Sequence, residues 1–268
     1  MTNARPIAVA VLLAALPRGA AAQPTPLRHD LSVDGSVTAA AAVTWIVSEL
    51  LKAELAPAAC RFCEPNRFDA WARERLLWSD VAPARRTSDV LAFGVLPAAV
   101  AASALLSARS AGDTREGWVD LLLVAEAATL AANVNQIVKY TVGRQRPFVH
   151  YRNFGDPDRP PDPDDNVSFY SGHTSLVFSL ATAAGTVSSM RGYRSAPWVW
   201  GIGLGLAATV GYLRMAGDKH YLTDVLVGAV VGSAMGIAIP RWLHGREERT
   251  PATGARLVPV VGGVAFVF

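Results

Sequence analysis

Apolar residues cover every face of five stretches of this chain, 89 to 108, 118 to 138, 172 to 190, 197 to 215 and 221 to 240. Each is long enough to cross a bilayer as a helix, and a helix apolar all round belongs in lipid or at the centre of a large core. The stretch 36 to 56 differs. It opens apolar, from Val37 to Val47, then carries Glu49, Lys52 and Glu54 in its last two turns, so the pattern predicts an amphipathic, interfacial helix first and a sixth span second. Residues 57 to 88, with Cys60, Asn66, Asp69, Arg73, Arg75 and Asp80, read as a polar connection with a short helix. The pattern as a whole predicts an all-α membrane bundle of five or six spans.

Polar and small residues inside these stretches refine the picture. Gly228, Gly232 and Gly236 recur every four residues in the last one, a spacing that lets helix backbones approach closely. Glu126, Asn133, Asn135 and Gln136 interrupt the second, which is costly in lipid unless they face the bundle interior. That helix is expected to line a site, although helix-to-helix hydrogen bonds explain Glu126 and Asn133 equally well. The loop from Phe148 to Ser168 is rich in Asp and Pro and is read as a lid or substrate-facing loop, with His150 an ordinary loop histidine. The tail from Arg256 to Phe268 is expected to form one or two short β segments around Gly262-Gly263.

Composition agrees with a membrane protein: 51% hydrophobic with a mean hydropathy of +0.25. The net charge of +3, without basic runs or interleaved aromatics, argues against a nucleic-acid partner. Residues 1 to 22 place Arg5, the apolar run Ile7 to Leu16 and Ala20-Ala21-Ala22 in the order of a secretory signal peptide, with an uncleaved signal anchor as the alternative. The two cysteines, Cys60 and Cys63, lack the further ligands a zinc site needs, so a small local disulfide is expected in an exported protein.

Candidate chemistry concentrates in three fragments, Lys139 to Pro147, Ser171-Gly172-His173, and Arg214 with His220 and Asp224. The first sits where 118 to 138 ends, the second where 172 to 190 begins and the third between the last two stretches, so all three fall on one membrane face. Three cations, two histidines and a carboxylate suit phosphoryl transfer, where charge on the phosphoryl oxygens is balanced while a nucleophile attacks and a leaving oxygen is protonated. Arg pairs two phosphate oxygens through its planar fork and Lys adds a compact charge. The cations fill the place of a divalent ion, so neither a metal nor a cofactor is expected.

The order K-x6-R-P, S-G-H, R-x5-H-x3-D over about residues 118 to 240 resembles the signature of the type 2 phosphatidic acid phosphatase superfamily, which also holds bacterial nonspecific acid phosphatases and vanadium haloperoxidases. Tyr170 stands where the family has Pro, and Leu213 where it has Ser. The resemblance implies that His220 is the nucleophile forming a phosphohistidine, Asp224 its orienting carboxylate and His173 the acid and base. It implies Lys139, Arg146, Ser171, Gly172 and Arg214 as the phosphate site; Arg144 is divided evenly between substrate contact and interfacial anchoring. The expected division is 1 to 22 signal segment, 23 to 88 exported region, 89 to 243 phosphatase bundle and 244 to 268 tail. The expected substrate is a lipid phosphate or pyrophosphate. Export of 23 to 88 would turn the site toward the periplasm of a bacterial inner membrane. The rivals are a soluble periplasmic acid phosphatase, a haloperoxidase, and a phosphate- or lipid-binding membrane protein without turnover.

Overall fold

The protein's computed structural model describes residues 24–152, 160–246, 256–260 and 263–267; the signal-like segment lies outside them. The chain forms α1 (Leu31–Leu50), the single turn α2 (Lys52–Leu55), α3 (Arg67–Leu76) and α4 (Val81–Val90). A π-helical segment, Leu91–Val95, joins α4 to α5 (Leu96–Ser110), and then come α6 (Thr114–Val142) and the short α7 (Pro147–Tyr151). The bundle closes with α8 (Gly172–Arg191), α9 (Ala196–Ala216) and α10 (Leu222–Leu243). Strands β1 (Arg256–Val260) and β2 (Gly263–Val267) form an antiparallel hairpin, the two short segments expected of the tail.

Helix starts follow capping chemistry. Asp30, Asn66, Asp80, Asp113 and Ser171 each accept backbone N–H groups of the first turn that have no intrahelical partner. Gly143 ends α6 in the left-handed conformation, φ 63°, one turn past Lys139.

Five described helices are long and apolar enough to cross a membrane: Leu31–Leu50, the rod Val81–Ser110, Thr114–Val142, Ala196–Ala216 and Leu222–Leu243. The set differs from the expectation at two places. Helix α1 qualifies as a span by its length and apolar composition; of the charges that made its end look interfacial, Lys52 lies beyond the helix and pairs with Glu49 at 2.5 Å, and Gln136 Nε2 donates to Glu49 at 2.8 Å. Helix α8 does not qualify, yet it is the axis of the bundle, packed against α6, α9 and α10. Shielded from lipid on those sides, it buries Thr174, Ser175, Ser179, Thr182, Thr186 and Ser188. The hydroxyls of Ser179 and Thr182 donate to carbonyls one turn back. The boundary expected at 88/89 also shifts, since it falls within the rod 81 to 110, and α1 packs along α6 inside the bundle.

The glycine stripe of α10 sets the closest approach. A Cβ at Gly232 would lie 2.3 Å from the Ser175 carbonyl oxygen, and one at Gly236 2.2 Å from Thr182 Oγ1. Only glycine lets the two backbones touch in this way. Large apolar side chains instead point outward, and exposed tryptophans mark both ends: Trp118, Trp198 and Trp242 at one, Trp71 and Trp78 at the other. Tryptophan at both ends of an apolar band is the pattern of membrane interfaces.

Candidate active site

At the end of the bundle marked by Trp71 and Trp78 lies a cavity of about 460 Å³. Its lining brings together Lys139 near the end of α6, Arg146 just before α7, Gly172 and His173 in the first turn of α8, Arg214 in the last turn of α9, and His220 in the loop that follows. The three sequence fragments therefore converge on one space, as their placement along the spans requires. Asp224 and Ser171 lie behind that lining, each fully buried.

The hydrogen bonds of His220 fix its tautomer. Arg146 Nη1 lies 3.1 Å from Nε2, and a guanidinium only donates, so Nε2 presents its lone pair. Nδ1, 2.8 Å from the Ser168 carbonyl oxygen, is then the protonated nitrogen. Burial, together with Arg146 and Arg214, holds this imidazole well below its ordinary pKa, which keeps the ring neutral.

Asp224 supports His220 differently from the expected direct contact. Its Oδ2 is 3.7 Å from Nδ1 and instead accepts from Ser168 Oγ at 2.6 Å and from the Tyr221 backbone N–H at 2.9 Å. The reason is local: His220 precedes the first residue of α10, so helical spacing does not apply to the pair, and Asp224 turns back to cap the helix start. Ser168 thus stands between them, carbonyl to the ring and hydroxyl to the carboxylate. Arg144 continues the chain of contacts, donating to Asp224 Oδ1 at 2.6 Å and to Asp69 Oδ2 at 2.7 Å. It is a buried strut, which displaces both the substrate and the anchoring roles considered for it. Asp69 is held in turn by Thr223 and Asn66.

Around the cavity, cations outnumber their partners. Lys139 Nζ has no hydrogen-bond or ion-pair partner among the described residues, and Arg214 Nε and Arg85 Nη2 are buried without one. Buried donors left open are costly unless something fills the space before them. Arg146 is engaged by Asp164, through Nε to the carbonyl at 2.7 Å and Nη2 to the carboxylate at 3.0 Å. Lys52 and Lys219 reach the same carboxylate at 3.4 and 3.8 Å. Burial works against the charge of Asp164, but Arg146 and Lys52 outweigh it and hold the acid far below the carboxylate range. A carboxylate from the Asp- and Pro-rich loop therefore sits on the cations that would meet a phosphate.

Gly172 stands close against two polar side chains of the site. A Cβ there would come within 2.7 Å of Asn135 Oδ1 and 2.9 Å of Lys139 Nζ. Ser171 is not among the residues lining the cavity: as N-cap of α8, its Oγ meets Thr174 Oγ1 at 2.9 Å. Asn135, expected to line the site, does so, and its Nδ2 donates to the Tyr170 carbonyl at 2.8 Å; Gln136 ties α6 to α1.

Sequence reasoning missed the contribution of the first 95 residues. Trp45, Glu49, Lys52, Arg85, Asp89 and Phe93 line the cavity. Arg73 of α3 forms a two-pronged pair with Asp218 at 2.6 and 2.8 Å, and Asp218 sits at φ 58° in the loop leading to His220. A lone Arg or Asp in a polar connection carries no spacing signal, so only the tertiary contacts reveal these roles. Cys60 and Cys63 form the expected disulfide, beside the bridge from Phe62 to Arg144 at this same end.

Comparison with known proteins adds three findings. The model of the family described as PAP2 superfamily matches residues 120–248. No curated protein matches the chain significantly. A crystal structure of the first transmembrane PAP2 type phosphatidylglycerolphosphate phosphatase from Bacillus subtilis is similar at 16% identity, with a TM-score of 0.43, over 82% of this chain and 88% of that one.

Proposed function

The chain belongs to the PAP2 superfamily through residues 120–248, and on that premise we propose that it is a membrane phosphatase that hydrolyses a lipid phosphate or pyrophosphate through a phosphohistidine. The observation that carries this reading is the His220 Nε2 lone pair, directed at Arg146 in a cavity whose other cations, Lys139 and Arg214, hold unpaired donors. Neutral Nε2 attacks phosphorus as Arg146 Nη1 gives up its contact with that lone pair and turns to the phosphoryl oxygens, whose charge the cations balance. His173 gives its proton to the leaving oxygen, then takes one from the water that hydrolyses the P–N bond. The Ser168 carbonyl, on a residue held by Asp224 through its hydroxyl, keeps the proton on His220 Nδ1 throughout. The role division between the histidines rests on the family resemblance joined to this geometry.

An amphiphilic substrate is supported by the lining itself, where Trp45, Phe93, Ala132 and Leu176 form an apolar wall beside the cations. The exposed apolar band and five span-length helices favour this over a soluble acid phosphatase. The purified full chain should release phosphate from short-chain phosphatidic acid in the presence of EDTA, be inhibited by vanadate, and form an acid-labile, base-stable phosphoenzyme that His220→Ala abolishes. Turnover by His220→Ala, or EDTA inhibition reversed by magnesium, would sink the mechanism. Peroxide-dependent halide oxidation by the vanadate-loaded protein would favour the haloperoxidase reading instead.

Orientation now rests on a different observation. The export argument placed both ends of 31 to 50 on one face, whereas Asp34 lies near His244 at the far end and Lys52 lies at the cavity. The Cys60–Cys63 disulfide at the cavity end supports an oxidising side, the periplasm of a bacterial inner membrane. A cysteine replacing Asp162, in a background free of Cys60 and Cys63, should then react with an impermeant thiol reagent in intact spheroplasts. Labelling only after lysis would reverse the orientation.

A further inference from the structure

Asp89 belongs to none of the three motifs and lies outside residues 120–248, yet its carboxylate meets two of the motif residues. Its Oδ1 is 2.8 Å from His173 Nε2 and 3.1 Å from Arg214 Nη1. The preceding Ser88 accepts from the same Arg214 nitrogen at 3.0 Å. Four residues on, the Phe93 ring packs edge-on to His173 with centroids 4.8 Å apart. Asp89 lies in the last turn of α4, just before the π-helical segment that carries Phe93, and such wide turns are frequent at functional sites. One element thus clamps His173 by a charged contact and an aromatic face.

From this geometry, and resting on the phosphatase reading above, we propose that Asp89 is a positioning residue that sets the tautomer of His173 and stabilises its imidazolium. A carboxylate accepts only, so His173 Nε2 carries the proton that Asp89 receives. Nδ1, without a partner among the described residues, is left as the nitrogen that gives a proton to the leaving oxygen and takes one from water. Arg214 holds the carboxylate in place from the other side. The rival role is simple competition, in which Asp89 occupies Arg214 until phosphate displaces it.

The two roles separate in the purified full chain. Asp89→Asn should lower kcat for short-chain phosphatidic acid about 10- to 100-fold, because an alkoxide needs its proton. The same variant should lose no more than about threefold with p-nitrophenyl phosphate, whose phenolate leaves unaided, and inhibition by inorganic phosphate should stay within about twofold of wild type. Asp89→Glu should recover part of the loss. In a His173→Ala background, adding Asp89→Asn should cost nothing further on the alkyl substrate, a comparison that stands even where one single variant folds poorly. Equal losses on both substrates, tighter phosphate inhibition with kcat intact, or additive losses in the double variant would overturn the proposal. A wild-type protein that hydrolyses neither substrate would instead overturn the phosphatase reading, and this inference with it.

Discussion

Charge is buried at both ends of the bundle, but in opposite ways. At the far end, among the described residues, the buried Arg191 guanidinium faces two carboxylates: it donates to Asp120 at 2.7 Å and reaches the Thr25 carbonyl, while its Nη2 pairs with Glu116 by charge without a hydrogen bond, and Tyr193 adds a bond to Asp120 at 2.9 Å. His244 lies between Glu126, 2.8 Å from its Nε2, and the Arg28 carbonyl, 3.1 Å from its Nδ1. At the cavity end Lys139, Arg214 and Arg85 keep donors open. A matched cluster fixes helices to one another, whereas an unmatched one costs stability until an anion completes it. The difference tells which end holds the fold together and which end awaits a ligand.

The comparison is most severely tested by removing one arginine from each end. Arg214→Ala should lower kcat/KM for p-nitrophenyl phosphate by about 100- to 1000-fold, the usual scale for one lost oxyanion contact, while the melting temperature in detergent holds or rises. Arg191→Ala should do the reverse, costing roughly 3–5 kcal/mol by stranding buried Asp120, with kcat/KM of the folded fraction little changed. Thermal unfolding measured beside activity decides both. If Arg214→Ala unfolds the protein and Arg191→Ala spares it, the contrast between the ends is wrong. The smallest effect sharpens the picture at the cavity mouth. Burial, followed by Arg146, pushes the Lys219 pKa down to about 8, so this ammonium is charged below that pH and neutral above it. KM should therefore rise about 3- to 10-fold as pH passes upward through 8, a range in which a phosphate monoester is already a dianion. In Lys219→Arg the rise should move to higher pH, and a KM that ignores both pH and substitution would remove Lys219 from substrate binding.

The residues that face the cavity were legible in the sequence because phosphate chemistry restricts them to few types, and helical spans force their spacing. Lys139, Arg146, His173, Arg214 and His220 are of this kind. Their supports were not legible. Ser168, Arg144 and Asp69 act through contacts across 52 to 80 positions of the chain, and nothing in the composition of residues 57 to 88 distinguishes a strut from a solvated loop. Hydropathy located the helices well but misjudged one environment and left another undecided. It took paired charges at the end of α1 for an interfacial face, and it left α8 open between lipid and a core, where the structure buries most of it against α6, α9 and α10. Periodicity reports what a helix can tolerate, and the neighbours decide what it meets.

The glycine stripe between α8 and α10 bears on how the cavity moves. Shear between packed helices needs a layer of side chains that can change rotamers, and where Gly232 and Gly236 lie on the α8 backbone that layer is missing. The two helices that carry His173 and Asp224 are therefore one stiff body. Breathing of the cavity, and with it tolerance for substrates of different bulk, falls to the opposite wall, where α1 and the π-helical segment of the 81 to 110 rod meet the site through long side chains.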